Sequence, residues 1–524
     1  MRNSCRVRLG GRVSRGFRVQ APLHSRGPRQ RVRQGGPYNS PHFTSMPRTA
    51  YFGQDMRYLL RTFALFIAAS ALSLRAADPA PKPPVLEIST HPAPAAEPAL
   101  RYRLVPVLAE RTRGDAAPLY LMAFLQLHLT DGEQKQLDDL LAAPREKFSA
   151  EGAGQILQSR QQYLANLELA ALRRDCHWEI PWREHGVATL LPHLQPCRQA
   201  TRMLALQARM QISQGRFDDA VHTLQVGFAL VDHLKNEALL IQGLVSIAIT
   251  HVLLERVVEL QQTPASPNMY WALAGLPHPL IDVPAMTELE RGWVLSMLPE
   301  LKGRNVRELS AETFSSVLAR IGNLMTVANI QEPAFGQKLA AAAMIAMQLP
   351  SARVWLQSHG YTEKQVNDLP PISAVGIYLF ELYQHTADDM FKWTSLPYWQ
   401  ARDALARSET MLRTLQAQGP NPALVMLPAM SRIMENVAVT DRRIAMLQTV
   451  EALRGYAAAH EGKLPAALAD LTEMPAPVDP MTGKPFEYEV AGNTAILRSL
   501  AVLNHTGMSQ AGTYRITLTG KATP

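Results

Sequence analysis

The side chains best suited to chemistry lie in one short segment of the chain. Cys176 and Cys197 flank this segment, and it contains a candidate cluster of two histidines and two glutamates: His177, Glu179, Glu184 and His185. Imidazole and carboxylate groups held close together are typical components of general acid–base catalysis. If the protein is an enzyme, we expect its site to be assembled around residues 176–197.

The two cysteines are predicted to form a disulfide. The chain has three cysteines, of which Cys5 lies in the N-terminal segment 1–55. The remaining even pair in an exported chain is typical of disulfide pairing, and this bond would close a loop of about twenty residues, contributing about 3 kcal/mol. A zinc site that adds His177, His185 and His193 to the cysteines is the alternative. These spacings match no compact zinc module, so the disulfide is favoured and no metal site is predicted.

Four common catalytic and cofactor-binding motifs are missing from the sequence. There is no G-x-S-x-G turn, no H-E-x-x-H, no phosphate-binding loop and no dinucleotide fingerprint. Adjacent acids such as Asp138-Asp139 and Asp218-Asp219 point in different directions on a helix, which is typical of solvated faces or helix caps. We therefore predict no catalytic residue, metal or cofactor, and the sequence favours a binding function.

The charge of the chain is distributed unevenly. There are 53 Lys and Arg against 45 Asp and Glu, a net charge of +8. Residues 1–55 hold eleven arginines and one acid, Asp55, so the remaining residues are slightly acidic. The basic character belongs to the N-terminal segment, and we expect no nucleic-acid partner.

The N-terminal segments are predicted to direct the chain to a compartment rather than to form part of the folded domain. Residues 1–55 are predicted to be a disordered basic tail, explained by a start assigned too early. An organelle transit peptide and a basic arm for nucleic acid are the alternatives. Residues 56–77 have a short basic start, an apolar run and small residues, the order of a secretory signal peptide. The run is short for a membrane span.

Export to the periplasm or another extracytoplasmic compartment is therefore expected. The alternative is that residues 58–74 stay attached as an N-terminal anchor, which would be the chain's one contact with a membrane. Residues 78–115 are rich in Pro and Ala and are predicted to be an extended linker.

Residues 116–440 predict an α-helical domain. Apolar residues recur at spacings of three and four, and Pro residues mark the loops between these stretches. We expect ten to fifteen helices arranged as a multi-helix bundle or a short α-solenoid. One continuous helix is expected over residues 155–174. Residues 238–258 are the most apolar mature segment, but polar residues interrupt them, so we interpret them as a core helix rather than a membrane span.

Residues 199–234 predict a helical hairpin with its turn at Gly215. Small and large packing residues in this segment resemble one tetratricopeptide unit: Ala208, Gly215, Phe217, Ala220, Leu224 and Gly227. The pattern does not recur after 34 residues, the period of that repeat, so an ordinary antiparallel helix pair is the favoured interpretation.

Residues 441–524 predict a helix followed by a small antiparallel β module. A helix over 441–460 is followed by a loop with a recognisable pattern: Gly462, Pro465, Leu468, Leu471, Pro477, Asp479, Pro480, Gly483, Pro485 and Tyr488. Strands are expected at 486–490, 495–499 and 514–519. Residues 441–499 thereby resemble the soluble C-terminal domain of type II secretion major pseudopilins. The family's calcium site is not carried over, since Asp479 is its one obvious candidate ligand here.

The resulting prediction is a mainly α protein that is exported and binds a protein or peptide partner in the cell envelope through a helical groove. The whole chain looks like an uncharacterised exported bacterial helical protein. An enzyme with a site around residues 176–197 is one alternative. A component of a secretion apparatus or surface filament, implied by the pseudopilin resemblance, is another.

Overall fold

The computed structural model describes residues 85–182, 189–236, 239–296, 298–301, 303–327, 337–417, 424–500, 502 and 512–520. The predicted tail (1–55) and signal segment (56–77) lie outside the described residues. The described part is mainly α-helical with a small sheet built largely from C-terminal strands, which confirms the predicted fold class.

Fifteen α-helices occur in the described part of the chain, in agreement with the apolar periodicity. They are α1 (Ala117–Gln126), α2 (Asp131–Ala142), α3 (Ala150–Gln158), α4 (Gln161–Ala171), α5 (Leu194–Ser213), α6 (Phe217–Lys235), α7 (Leu240–Gln261), α8 (Tyr270–Ala274), α9 (Val283–Ser296), α10 (Ala311–Val327), α11 (Gln337–Ser358), α12 (Glu363–Asp368), α13 (Pro371–Phe391), α14 (Tyr398–Ala417) and α15 (Met430–Ala459).

The helix expected over 155–174 is two helices, α3 and α4, followed by a short strand. The break lies at Arg160, whose guanidinium donates to the carbonyl of Ile156 at 2.7 Å and to Glu133 at 2.6 Å. Arg160 therefore caps the end of α3 and ties it to α2, an interaction between elements that local periodicity does not report.

The predicted hairpin is formed by α5 and α6. Gly215 lies in the turn with φ of +70°, a conformation that residues with a Cβ rarely adopt. Both helices pack on α7, and at Gly227 the contact is close, because a Cβ there would come within 2.6 Å of Leu253. The hairpin is confirmed as two helices; its resemblance to a tetratricopeptide unit stays a prediction.

Helix α7 is long and apolar enough to cross a membrane, but 67% of its most apolar stretch is buried inside the protein. It packs against α5, α6, α9 and α15. Two of its polar side chains, Ser246 and Thr250, donate to backbone carbonyls one turn earlier, so their burial leaves no unpaired hydroxyl. This placement fits the core-helix interpretation.

A four-stranded sheet has the order β1-β6-β5-β4. Its strands are β1 (Val85–Thr90), β4 (Glu487–Ala491), β5 (Thr494–Arg498) and β6 (Thr513–Leu518); a separate pair, β2 (Thr112–Asp115) and β3 (Arg173–Asp175), forms a second small sheet. Strands β4, β5 and β6 are antiparallel, at the places that the sequence predicts within about one residue.

Strand β1 was not predicted from the sequence. It lies within residues 78–115, which the sequence predicts to be an extended linker. It pairs in parallel with β6, with Leu86 opposite Tyr514 and Ile88 opposite Ile516. These inward-facing pairs bury apolar side chains on one face of the sheet. The N-terminal strand therefore completes the C-terminal module. The predicted boundary at 440/441 likewise falls inside α15, which is continuous through it.

Helix α15 carries two buried ion pairs. Arg442 binds the carboxylate of Asp479 with two bonds, of 2.8 and 2.9 Å. Glu451 and Arg454 form the second pair at 2.7 Å, with neither side chain exposed. Arg442–Asp479 connects α15 to the loop before β4, so this pair holds the helix and the β module together.

We expect Arg442→Met to lower the free energy of unfolding by about 3–5 kcal/mol, because it leaves the Asp479 carboxylate buried without its partner. Urea denaturation followed by far-ultraviolet circular dichroism measures this loss. The matched control is Arg515→Met, which removes an exposed pair with Glu87 and should cost much less. Equal losses in the two variants would contradict this assignment.

Candidate functional site

The described part of the segment 176–197 is built on a stack of aromatic rings. The indole of Trp178 lies 4.6 Å from the imidazole of His193, 5.6 Å from the ring of Tyr120 and 6.4 Å from that of Phe124, centroid to centroid. We call these residues, together with His233, the aromatic–histidine cluster. It joins the loop after β3 to the start of α5 and to α1 and α6.

The two histidines of this cluster are neutral structural residues. The Nε2 of His233 donates to the carbonyl of Arg173 at 3.0 Å, so its Nδ1 accepts from the hydroxyl of Tyr120 at 2.9 Å. Burial lowers the pKa of His233, and it lowers the pKa of His193 to about 4. Both rings stay uncharged at neutral pH.

The predicted catalytic cluster is only partly described. His177 is exposed; its backbone N–H donates to Asp115 at 3.0 Å, and its ring Nδ1 lies 3.8 Å from the second oxygen of that carboxylate. Glu179 is also exposed and has φ of +46°. Glu184 and His185 lie outside the described residues. Among described residues, no group of three or more His, Cys, Asp or Glu could hold a metal ion.

Cys176 and Cys197 are buried free thiols in this structure. They lie near each other: Trp178, two residues after Cys176, stacks on His193, and the N–H of Cys197 donates to the carbonyl of His193. Burial raises the pKa of both thiols, and Cys176 adds to the rise in the pKa of Cys197. The predicted disulfide stays a prediction.

A surface groove of about 660 Å³ lies on another part of the molecule. It is lined by four segments, residues 92–97, 101–102, 215–219 and 265–268, and we call it the 92–268 groove. One side carries small apolar residues, chiefly Pro and Ala of 92–96. The other side is the turn between α5 and α6, which brings polar side chains to the edge.

The apolar side of the groove is held by the buried pair of α15. Arg454 donates to both the carbonyl and the hydroxyl of Ser266, at 3.1 and 2.8 Å, and to the carbonyls of Pro267 and His91, at 3.3 and 3.1 Å. One guanidinium therefore satisfies the backbone of two lining segments. Glu451 neutralises its charge.

Asn268 connects the same two segments. Its side-chain amide donates to the carbonyl of Ala93 at 3.1 Å and to the backbone carbonyl of Glu451 at 2.9 Å. The N–H of Ala93 donates in turn to the carbonyl of Arg454 at 3.1 Å. These bonds run to α15, so this side of the groove is held in place by contacts within the protein.

The polar edge is a set of hydrogen-bonded charges at the start of α6. Asp218 accepts from the guanidinium of Arg101 at 2.7 Å and from the hydroxyl of Tyr102 at 2.8 Å. The hydrogen bond from Tyr102 is the largest of the effects that lower the pKa of Asp218. Arg216 binds Asp219 at 3.0 Å. The two carboxylates in the first turn of α6 also interact favourably with the positive end of the helix dipole.

Sequence reasoning did not find this groove. Asp218 and Asp219 are read from sequence as caps or solvated residues, and the partners of Asp218 lie more than a hundred residues away. One local signal was present: Glu451 and Arg454 stand three residues apart among the apolar residues Val450, Ala452 and Leu453, and buried charges require partners.

Comparisons with known proteins return no match: no family model, no curated protein and no solved structure matches the chain.

The hydrogen bond of the aromatic–histidine cluster can be tested with two buried tyrosines. We expect Tyr120→Phe to destabilise the protein by about 1–3 kcal/mol, because it leaves the Nδ1 of His233 buried without a donor. Tyr163→Phe is the matched control, since the Tyr163 hydroxyl is buried with no partner among the described residues. Its loss should be neutral or slightly stabilising in the same denaturation assay.

The cysteine prediction is tested on protein isolated without reductant from an oxidising compartment. After free thiols are blocked under denaturing conditions, peptide mapping should recover a fragment in which Cys176 is linked to Cys197. Two blocked thiols at these positions would show that the bond does not form.

Proposed function

We propose that this protein is an exported, non-catalytic binding protein of the cell envelope, and that its 92–268 groove holds a segment of a partner polypeptide. The observation that carries the proposal is the groove itself: one apolar side fixed by buried hydrogen bonds, opposite an edge of oriented polar groups. Such a combination supplies both contact area and specificity.

The shape and rigidity of the groove support an extended segment as the occupant. Its volume of about 660 Å³ is within the range of ligand-binding pockets, and its apolar lining consists of Pro and Ala, which leave a shallow surface for side chains to pack on. Because Arg454 and Asn268 fix one side in advance, little ordering entropy is lost there on binding.

The charges that line the groove support a partner segment with at least one basic residue. The lining holds three carboxylates, Glu97, Asp218 and Asp219, against two guanidiniums, Arg101 and Arg216. Carboxylate excess at the edge favours cationic side chains through electrostatic complementarity.

The described histidines of the alternative site give less support to an enzyme. Burial lowers the pKa of both His193 and His233, and the Nδ1 of His233 already accepts from Tyr120, so both are weak general bases. His177 and Glu179 stand exposed beside the same cluster, outside the 92–268 groove.

The proposal is tested by cross-linking in cells. A photoreactive amino acid at Ala96, within the groove, should yield one covalent adduct in the envelope fraction, whereas the same amino acid at the exposed Ala417 of α14 should not. Mass spectrometry identifies the adduct, and the partner is then purified and titrated against the protein.

In that titration, Ala96→Arg should weaken binding by at least about tenfold, because the side chain fills the apolar side of the groove. Ala417→Arg should leave the affinity unchanged. Adducts that are identical at both positions, or an affinity insensitive to Ala96→Arg, would show that the groove is not the binding site.

A further inference from the structure

A second cavity, of about 280 Å³, lies between the start of α14 and the loop that precedes β4. We call it the Trp399 pocket. Trp399 and Arg402 line it from α14, and Met481, Thr482 and Lys484 line it from the loop. Leu500 and Val502, which follow β5, complete the lining.

The loop side of the Trp399 pocket is held rigidly by Asp479. Its carboxylate is bound by Arg442 and accepts from the N–H of Met481 at 2.9 Å, while its backbone carbonyl accepts from the N–H groups of Thr482 and Gly483. These backbone donors are used within the turn. The hydrogen-bond donors that the loop can offer to a ligand are therefore those of its side chains.

Trp399 forms an aromatic wall whose position is set by a glycine. Gly483 has φ of +67°, and a Cβ at this position would come within 2.7 Å of the indole of Trp399. The ring thus lies directly against the backbone of the turn. The side chain is nevertheless 45% exposed, a large fraction for Trp. Part of the indole remains available for stacking.

Two cationic side chains stand at the edge of this pocket. Within the described residues Lys484 has no ion-pair partner, and Arg402 pairs with Asp403, its exposed neighbour in sequence. An exposed pair of this kind is worth little, so Arg402 can turn to a ligand at small cost. Among the described residues that line the pocket, none carries a carboxylate.

We propose that the Trp399 pocket binds a small aromatic carboxylate. The aromatic ring packs on the indole of Trp399 and on Leu500, which is partly exposed; Met481 and Val502 also line the pocket but are themselves buried. The carboxylate lies between Arg402 and Lys484, which supply charge-assisted hydrogen bonds. This site is independent of the 92–268 groove and does not rest on its proposed function.

The same chemistry occurs in a free aromatic acid and at the C-terminus of a peptide that ends in Phe. Isothermal titration with phenylacetate, and with the peptide Ala-Ala-Phe, distinguishes the two sources. Each probe is compared with its neutral amide, phenylacetamide or the peptide amide. At least one acid should bind with one-to-one stoichiometry and more tightly than its amide.

Matched substitutions on the same helix assign the site. Arg402→Met should weaken binding of the acid by about tenfold, the loss expected for one charge-assisted hydrogen bond, whereas Arg407→Met, on the exposed face of α14, should not. Lys484→Met and Lys463→Met form a second pair of this kind. All four residues have exposed or half-exposed side chains, so the variants are expected to fold.

Trp399→Leu should abolish the change in tryptophan fluorescence that accompanies binding. The proposal is overturned if no acid binds saturably, if the amides bind as tightly as the acids, or if Arg407→Met weakens binding as much as Arg402→Met does.

Discussion

The fold depends on two ion pairs buried along one helix, α15. Removing a guanidinium and a carboxylate from water costs several kcal/mol for each ion, and only close geometry with further hydrogen bonds offsets that cost. Arg442 meets this condition with two bonds to Asp479, and Arg454 meets it with Glu451 and with three backbone carbonyls. Each pair satisfies groups that are distant in sequence, so each determines where another segment lies.

Both cavities follow from this arrangement. The Arg454 pair fixes the segments that form the apolar side of the 92–268 groove, and the Arg442 pair fixes the turn that forms one wall of the Trp399 pocket. Arg442 and Arg454 lie twelve residues apart on one helix, so α15 supports both cavities. A substitution that shifts this helix would therefore change both sites, whereas the edge residues of each cavity can be altered separately.

The sequence predicts the local elements well and the contacts between distant segments poorly. Apolar residues at spacings of three and four identify α5, α6 and α7, and short runs bounded by turn residues identify the three C-terminal strands. Both signals are local in the sequence. They do not identify β1, whose partner β6 lies more than four hundred residues further along the chain. The sequence also does not indicate which residues pair with Arg442 and Arg454. The groove and the pocket depend on such distant partners, so neither could be predicted.

The pairing of β1 with β6 also constrains when the protein can fold. Strand β1 buries Ile88 and Thr90 only when Ile516 and Leu518 are present, so the sheet cannot be completed before nearly all of the chain has been made. Pairings this distant form slowly, since loop closure must precede the contacts that stabilise them. Seven residues separate Ala77, the end of the predicted signal segment, from Val85. Strand β1 therefore stays unpaired until the C-terminal strands follow it, as the predicted export through a route for unfolded chains would require.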